Sequence, residues 1–558
     1  MWGIGLKRAI PTPESISPRT ADVRHARPLR SPQIPNAITL CNWDGLHLKI
    51  MTGMDGRGLY TILDRGAPMR YHSTNGSCKL NMQISPATSA HAHSEIEVSA
   101  PNRASQQRLY SMIDLFAGCG GLSLGFENAG FTPVFVNELD KDARATYLAN
   151  RRHKIGGCAF SDNPDLHSSD AQHLTGKRLE KLISDLSSIP EIDMSFDNGA
   201  SVASGAGSTL DIIAGGPPCQ GFSGIGIRRS YAVDKRELPS NRLYVRMADI
   251  IRELRPRIFL FENVRGLLNS RWTRADGADL IFPNVKAEFR SIEGYEVRWS
   301  LVYAKDYGVP QNRPRVLLVG IRKDVLGACD FLSPTADNED AVACGFLPDR
   351  QPGKYPDLID LLGDLVDIEV GGILRSGNFP KGPFATRTYP HAASTAIQKQ
   401  LRAPKPGEQV QVQLTDHEYS KHKPDVVAKF WHMIQNSGEI SERFKTKKFS
   451  QRALKPCWGA NGPNITATSL PDDYVHFSQP RILTVREWAR LQMFPDWFQF
   501  VGKRTTGGIR RAGNPIEGNF DRELPKYTQI GNAVPVGLAE KVGAHLKKII
   551  DTATGSDV

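Results

Sequence analysis

"LYSMIDLFAGCGGLSLGFENAGFTPVFVNELD" runs from Leu109 to Asp140 and changes its periodicity twice. LYSMIDLF is an apolar run of strand length, AGCGGLSLGFENAG is a glycine loop opening a helix, and FTPVFVNELD is a second strand. Strand, loop, helix and strand in this order make a βαβ unit. Gly118, Gly120, Gly121 and Gly125 do not spell GxGxxG. Glycines at a strand-to-helix turn nevertheless let a ligand approach the backbone at a helix N-terminus. An acid about 20 residues further on holds a ribose in such units, and Glu138 stands twenty positions beyond Gly118. A nucleoside cofactor is expected, and the broken fingerprint disfavours a pyrophosphate.

The same alternation continues on both sides of a polar middle. KDARATYLANR reads as a helix and LDIIAG as a strand, while YVRMADIIRELRPRIFLFENV is a helix, a proline stop and a strand. YEVRWSLVYAKDYG and RPRVLLVGIR look like a closing strand pair. Residues 108–321 are therefore predicted to form an α/β domain with a doubly wound sheet. From 322 to 478 the rhythm dissolves into polar, Pro- and Gly-punctuated sequence, too long for one loop and so a second, smaller irregular module. It returns at RILTVREWARLQMFPDWF, where Thr484 and Glu487 form a capping box and the helix is expected to end near Pro495. YTQIGNAVPVGLAEKVGAHLKKII reads as a loop entering a helix, with Pro535 near the first turn, so 479–558 completes the first domain. Residues 1–107 mix Pro, Ser, Arg and His with little periodicity and read as a disordered extension. The alternative there is a small module around LHLKIMTGMDGRGLYTIL.

Bulk properties narrow the class. The 558 residues carry 70 Lys and Arg against 59 Asp and Glu, a formal charge of +11 that leans toward a polyanionic partner. No apolar run reaches the ~18 residues of a membrane span, and Lys7 and Arg8 interrupt any signal-peptide core. The eight cysteines contain no CxxC pair, which argues against a metal site and suits a reducing, cytoplasmic setting. Between Lys421 and Lys455 nine Lys and Arg face three acids, with Phe430, Trp431, Phe444 and Phe449 among them. That pattern fits a nucleic-acid face or, equally, a solvated surface with core aromatics.

The chemistry gathers at strand ends. DIIAGGPPCQGFSG, Asp211–Gly224, ends a strand in Gly215, Gly216, Pro217 and Pro218 and then places Cys219 on a stiff loop. A thiol becomes a nucleophile where positive charge or a helix dipole favours its thiolate. FENV puts Glu262 at the end of the next strand, on the edge where open α/β sheets bind ligands. In QNRPRV, Gln311, Arg313 and Arg315 alternate, so both arginines are expected on one strand face, facing something anionic or polar. Asp170, in HSSDAQHL, reads either as a contact to a base amine or as a helix cap.

DLFAGCGGLSLGF, NELD, GGPPCQGFS, FENVRGL, QNRPRV, LTVREWARLQMFP and QIGNAVP, in that order, resemble the C5 DNA-cytosine methyltransferases of prokaryotic modification type. The resemblance covers about 108–321 and 480–550, and the family places a variable target-recognition region where 322–478 lies. It implies a Rossmann-like fold that binds S-adenosylmethionine through Phe116, Gly118, Gly120, Gly121, Leu122, Glu138, Asp170, Pro217, Asn532 and Val534. Phe116 would stack on the adenine, Glu138 bind the ribose, Asp170 hold the adenine amino group, and Asn532 and Val534 close the pocket. It further implies that Cys219 attacks C6 of a flipped-out cytosine in double-stranded DNA while Glu262 serves N3. Arg315 would hold O2, and Arg313 would brace the cysteine loop. A monomer acting beside a cognate restriction endonuclease would fit this class. The rivals are an RNA cytosine methyltransferase of the same fold and an inactive DNA-binding relative. The large basic variable region favours DNA over the first, and intact Cys219, Glu262, Arg313 and Arg315 argue against the second.

Overall fold

The computed structural model describes residues 42–43, 46–52, 58–62, 109–189, 192, 209–218, 242–272, 279–409, 412–445, 451–458, 463–465, 473–505 and 523–555. The chain divides into two compact units, Met1–Asn102 and Arg103–Val558. In the first, strands Asn42–Trp43, Leu46–Thr52 and Gly58–Ile62 pair antiparallel in chain order. They lie where the sequence left a small module open.

The second unit is built on seven strands: β1 (Tyr110–Leu115), β2 (Phe131–Asn137), β3 (His167–Ser168), β4 (Ile212–Gly215), β5 (Ile258–Val264), β6 (Tyr295–Tyr303) and β7 (Pro314–Arg322). Their order is β6-β7-β5-β4-β1-β2-β3. β3, β2, β1, β4 and β5 run parallel, while β7 pairs antiparallel with both β5 and β6. Strand order reverses between β1 and β4, and open α/β sheets bind ligands in the crevice at such a point.

Alternation along the strands builds two layers. Ile113, Leu115, Phe259 and Phe261 face a core with α4 (Leu243–Leu254) and α5 (Ile281–Arg290). The helices between, α2 (Lys141–Ala149) and α3 (Lys177–Ser187), contribute Tyr147, Leu179 and Leu182 to the same layer. Met112, Ile212, Ile258 and Leu260 face α1 (Gly121–Asn128) on the other side. This second layer also holds the C-terminal helix, Val536–Thr554, which follows helices Val485–Leu491 and Lys526–Asn532 and is numbered α8 after α6 and α7. The predicted proline stop holds. α4 ends at Leu254, Arg255 takes a left-handed φ of 43°, and Pro256 leads into β5.

Two helix boundaries differ from expectation. α6 carries the capping box of Thr484 and Glu487 but stops at Leu491, four residues before Pro495, because Met493 turns left-handed with φ 65°. YTQIGN is helical within α7 rather than loop, and Pro535 sits at the N-cap of α8.

Among the described residues, 322–478 holds helices Lys323–Gly327, Leu358–Leu362, Ile368–Ser376, Ala396–Leu401 and Pro424–Gln435, and a parallel pair of two-residue strands, Arg452–Ala453 with Tyr474–Val475. One core joins it to the rest: Leu358, Leu361, Leu401, Leu414, Trp458 and Ile465 pack with Leu124 of α1 and with Trp488 and Leu491 of α6.

Candidate active site

The glycine turn after β1 bends through three left-handed residues, Phe116 at φ 59°, Gly118 at φ 58° and Gly120 at φ 89°. A positive φ is costly for phenylalanine, so the surroundings must hold it there, and such residues cluster at functional sites. The Glu138 carboxylate supplies one restraint, accepting the Gly118 N–H at 2.7 Å and the Asp140 N–H at 2.7 Å. Burial raises its pKa, and those two N–H groups pull it back. A side chain on Gly118 would meet nothing within 4 Å, so open space lies against this backbone. Beside it, the first-turn N–H groups of α1 lack intrahelical acceptors.

The glycines divide their labour. A Cβ on Gly120 would sit 2.6 Å from an Arg151 nitrogen, and one on Gly121 would sit 2.5 Å from the Val534 carbonyl. Both are taken up by packing, as is Gly125, whose Cβ would lie 2.4 Å from that of Ala539 in α8. The Leu122 side chain is likewise in the core, with Val534. Under the turn runs a buried polar chain. Ser123 Oγ donates to Asp114 Oδ2 at 2.5 Å and lies 2.8 Å from the Tyr147 hydroxyl; Arg151 stacks on the Tyr147 ring and bonds Glu127 at 2.7 Å and the Gly120 carbonyl at 3.0 Å. Asp114 is fully buried with Oδ1 unpartnered, and burial pushes its carboxyl up to about 7.

Across the crevice, Asp170 caps a short 3-10 turn by accepting the Gln172 N–H at 2.9 Å, the cap reading of the sequence. A cavity of about 630 Å³ opens next to that turn, lined by Gln172, Leu243, Tyr244 and Trp272. Leu139, directly after Glu138, is 69% exposed. Sequence reading did not single it out. Its signal is a large apolar side chain left in solvent beside Glu138.

The second half of the site lies at the far ends of β4 and β5 and the start of β7. Antiparallel pairing sets Val264 opposite Arg315, which places Arg315 diagonal to Glu262 on one face of the sheet. The two form a buried ion pair through Arg315 Nε and Glu262 Oε1. The other carboxylate oxygen presses on the cysteine-bearing loop, since a Cβ on Gly216 would lie 2.6 Å from Glu262 Oε2. Asn263 Nδ2 holds the buried Pro217 carbonyl at 3.2 Å. Cys219 itself lies outside the described residues, two positions beyond Pro217.

Arg313 differs from its expectation. β7 begins at Pro314, so Arg313 precedes the strand and does not share a strand face with Arg315. Its Nη2 donates to the carbonyls of Gly531 at 2.7 Å and Ala533 at 2.9 Å, bracing the turn that carries exposed Asn532 and buried Val534. Burial and the neighbouring Arg315 depress its pKa.

Sequence reading also missed Arg481, just before α6, and Arg486 and Arg490 within it. Arg481 grips Glu487 with two bonds of 2.7 Å. Arg486 binds the Thr415 hydroxyl at 2.8 Å and the Phe498 carbonyl at 2.9 Å. Arg490 lies between Asp364 at 2.5 Å and Asp496 at 2.6 Å. All three are fully buried. Three arginines beside an otherwise apolar helix were the available signal, because buried charges require partners.

Comparison with known proteins identifies the family. The family model described as C-5 cytosine-specific DNA methylase matches residues 110–176 and 187–548. Type II methyltransferase M.DdeI of Desulfomicrobium norvegicum is 28% identical over 449 residues, covering 78% of this chain and 88% of that protein. Type II methyltransferase M.XorII of Xanthomonas oryzae pv. oryzae is 29% identical over 450 residues, covering 78% and 84%. Among solved structures, a putative DNA modification methyltransferase encoded within an E. coli prophage aligns with a TM-score of 0.50 at 22% identity, covering 79% of this chain and 99% of that one. That last likeness supports the fold.

Proposed function

The chain belongs to the C-5 cytosine-specific DNA methylase family and is a DNA cytosine-5 methyltransferase, and from that premise we propose how its residues work. The target cytosine leaves the duplex, enters the edge formed by Gly216, Glu262 and Arg315, and is held there by Cys219 through a covalent bond to C6.

The cofactor crevice suits S-adenosylmethionine. Open space at Gly118, the Glu138 carboxylate and the exposed Leu139 offer, in turn, room, a hydroxyl acceptor and an apolar face for a nucleoside. Phe116, Glu138, Leu139 and Asp170 would hold its nucleoside, while Gly118 and the first turn of α1 admit its amino-acid end. Gly120, Gly121, Leu122 and Val534 shape that wall from behind, and Pro217 and Asn532 border it. When bound, S-adenosylmethionine supplies an electrophilic methyl group.

The chain's own work is to make cytosine C5 nucleophilic. The Cys219 thiolate adds to C6, and Glu262 gives a proton or hydrogen bond at N3 so that the ring accepts the charge. Arg315, fixed by its ion pair with Glu262, donates to O2. After methylation, loss of the C5 proton restores the double bond and expels Cys219. The observation that carries this reading is the buried Glu262–Arg315 pair lying against the loop that ends in Cys219.

Residues 322–478 would read the DNA sequence, with 108–321 and 479–558 as the catalytic part and 1–107 as an extension. Side chains reaching base edges provide specificity, while basic residues such as Lys445 and Arg452 hold phosphates. Among the described residues no helix is long and apolar enough to cross a membrane. A monomer in the cytoplasm, sharing its site with a cognate restriction endonuclease, suits relatives named as Type II methyltransferases.

The test is duplex DNA carrying 5-fluorocytosine, whose fluorine blocks the last elimination. The native enzyme should form a denaturant-resistant adduct, and Cys219→Ser should form none while still binding S-adenosylmethionine. An adduct that persists in Cys219→Ser overturns the assignment. Transfer to RNA in preference to duplex DNA would favour the RNA rival.

A further inference from the structure

Gln311 takes no part in that chemistry, yet it is fully buried two residues before Arg313 and four before Arg315. Its Nε2 donates to the Leu491 carbonyl at 2.8 Å and to Gln492 Oε1 at 2.7 Å, and its Oε1 accepts the Ile465 N–H at 3.2 Å. Alongside, the Asn312 N–H donates to the Pro463 carbonyl at 2.7 Å. The same three-residue stretch is clamped from behind. The Tyr474 hydroxyl accepts the Asn464 N–H at 2.9 Å, donates to the Asn464 carbonyl at 3.2 Å and accepts from Arg452 Nη2 at 2.7 Å. Its one donor and both acceptor positions are therefore used. Inward, Gln492 Nε2 reaches the Ile530 carbonyl at 2.8 Å, and the Gln492 carbonyl accepts the Val536 N–H at 2.9 Å.

Residues 463–465 lie inside WGANGPNITATSLPDDYVHF, which together with Lys421–Lys455 supplies the candidate DNA contacts of 322–478 in the proposed function. Hydrogen bonds are directional, and a buried amide loses much if its partner shifts. We propose that Tyr474, Asn464, Ile465 and Gln311 form a positioning relay: the placement of the recognition segment on DNA sets the entrance of β7, and with it Arg315 against the target base. Correct sequence and correct catalytic geometry are thereby coupled. The inference rests on the reading of 322–478 as the recognition region.

The experiment uses the full chain, with its site first mapped by bisulfite sequencing. Methylation is then measured on a duplex with that site and on one with a single base pair changed. Tyr474→Phe keeps the ring and removes only the hydroxyl; Gln311→Met keeps the volume and removes the amide. Each should lower the ratio of kcat/KM between the two duplexes about tenfold, the worth of roughly one buried hydrogen bond. The loss should fall on kcat with the correct duplex, and S-adenosylmethionine affinity should stay within about twofold. Unchanged ratios in both variants overturn the relay, as does a loss confined to cofactor affinity. If Gln311→Met does not fold, Tyr474→Phe decides alone. Replacing 322–478 with the matching region of a relative separates the two readings. If site choice moves with the region while the ratios hold, only the relay fails; if site choice stays, the recognition reading fails.

Discussion

Arg490→Met should loosen the attachment of residues 322–478 to α6. The guanidinium spans Asp364 and Asp496, bonding Asp364 at 2.5 and 3.1 Å and Asp496 at 3.0 and 2.6 Å, with the Leu361 carbonyl at 2.9 Å. Both acids are almost wholly buried. Without Arg490 each must stay charged in a dry site or take up a proton. For an ordinary aspartate at pH 7, protonation costs about 4 kcal/mol, which caps the penalty per acid. Asp364 keeps Arg402 at 3.4 Å and Asp496 keeps the Tyr389 hydroxyl at 2.9 Å, so part of the loss is recovered. The expected destabilisation is about 3–5 kcal/mol, typical of breaking a buried pair from one side. Urea unfolding followed by circular dichroism measures it, and limited proteolysis between 322 and 478 shows where the structure opens. A triple change, Arg490→Met with Asp364→Leu and Asp496→Leu, should restore most of the loss, because no unpaired charge is left. A single variant within about 1 kcal/mol of wild type, or a triple variant as weak as the single, refutes the reasoning. The pH dependence has a definite sign. Burial alone would raise the pKa of Asp496, but Arg490, helped by Arg486 and the Tyr389 hydroxyl, offsets it and the net shift is downward. A depressed acid stabilises the fold above its unfolded pKa, so this contribution disappears as pH falls below about 4. Any segment that replaces 322–478 must accordingly bring an acid opposite Arg490, as Asp364 does.

Glu262→Gln should keep the fold and lower turnover on the order of 100-fold with saturating cofactor, as measured by tritium transfer to DNA; unchanged turnover would make Glu262 a mere partner of Arg315. Asp114 titrates at about 7 in the folded chain, above its ordinary value because of burial. A raised acid contributes stability at low pH that is lost as pH rises from about 4 toward 7. Asp114→Asn should therefore flatten that part of the urea-unfolding profile, and an unchanged slope would refute the assignment. Deleting residues 1–105 should leave methylation near the wild-type rate, since every site residue lies beyond them; a soluble but inactive product would give the extension a functional part.

Local pattern was enough for the βαβ grammar and for setting Glu262 near the end of its strand. Apolar runs of strand length, the Gly-Gly-Pro-Pro break before Cys219, the Arg255–Pro256 stop and the Thr484–Glu487 capping box each encode their conformation within a few residues. Glu262 was legible because a strand end in an open α/β sheet has a known place. Tertiary structure decided what those residues meet. Whether a glycine admits a ligand or another helix depends on what arrives from elsewhere: Gly118 faces open space, whereas Gly121 and Gly125 receive Val534 and Ala539 from more than 400 positions away. The same holds for charge. Alternation predicted a shared face for Arg313 and Arg315, but β7 begins one residue after Arg313, leaving it free to turn to the carbonyls of 531–533. Nothing in the helix pattern around Arg490 names its partner Asp364, which lies 126 positions earlier. A hydrogen bond or ion pair depends on distance in space, and the chain's local order does not carry that distance until the whole sheet and its helices have packed.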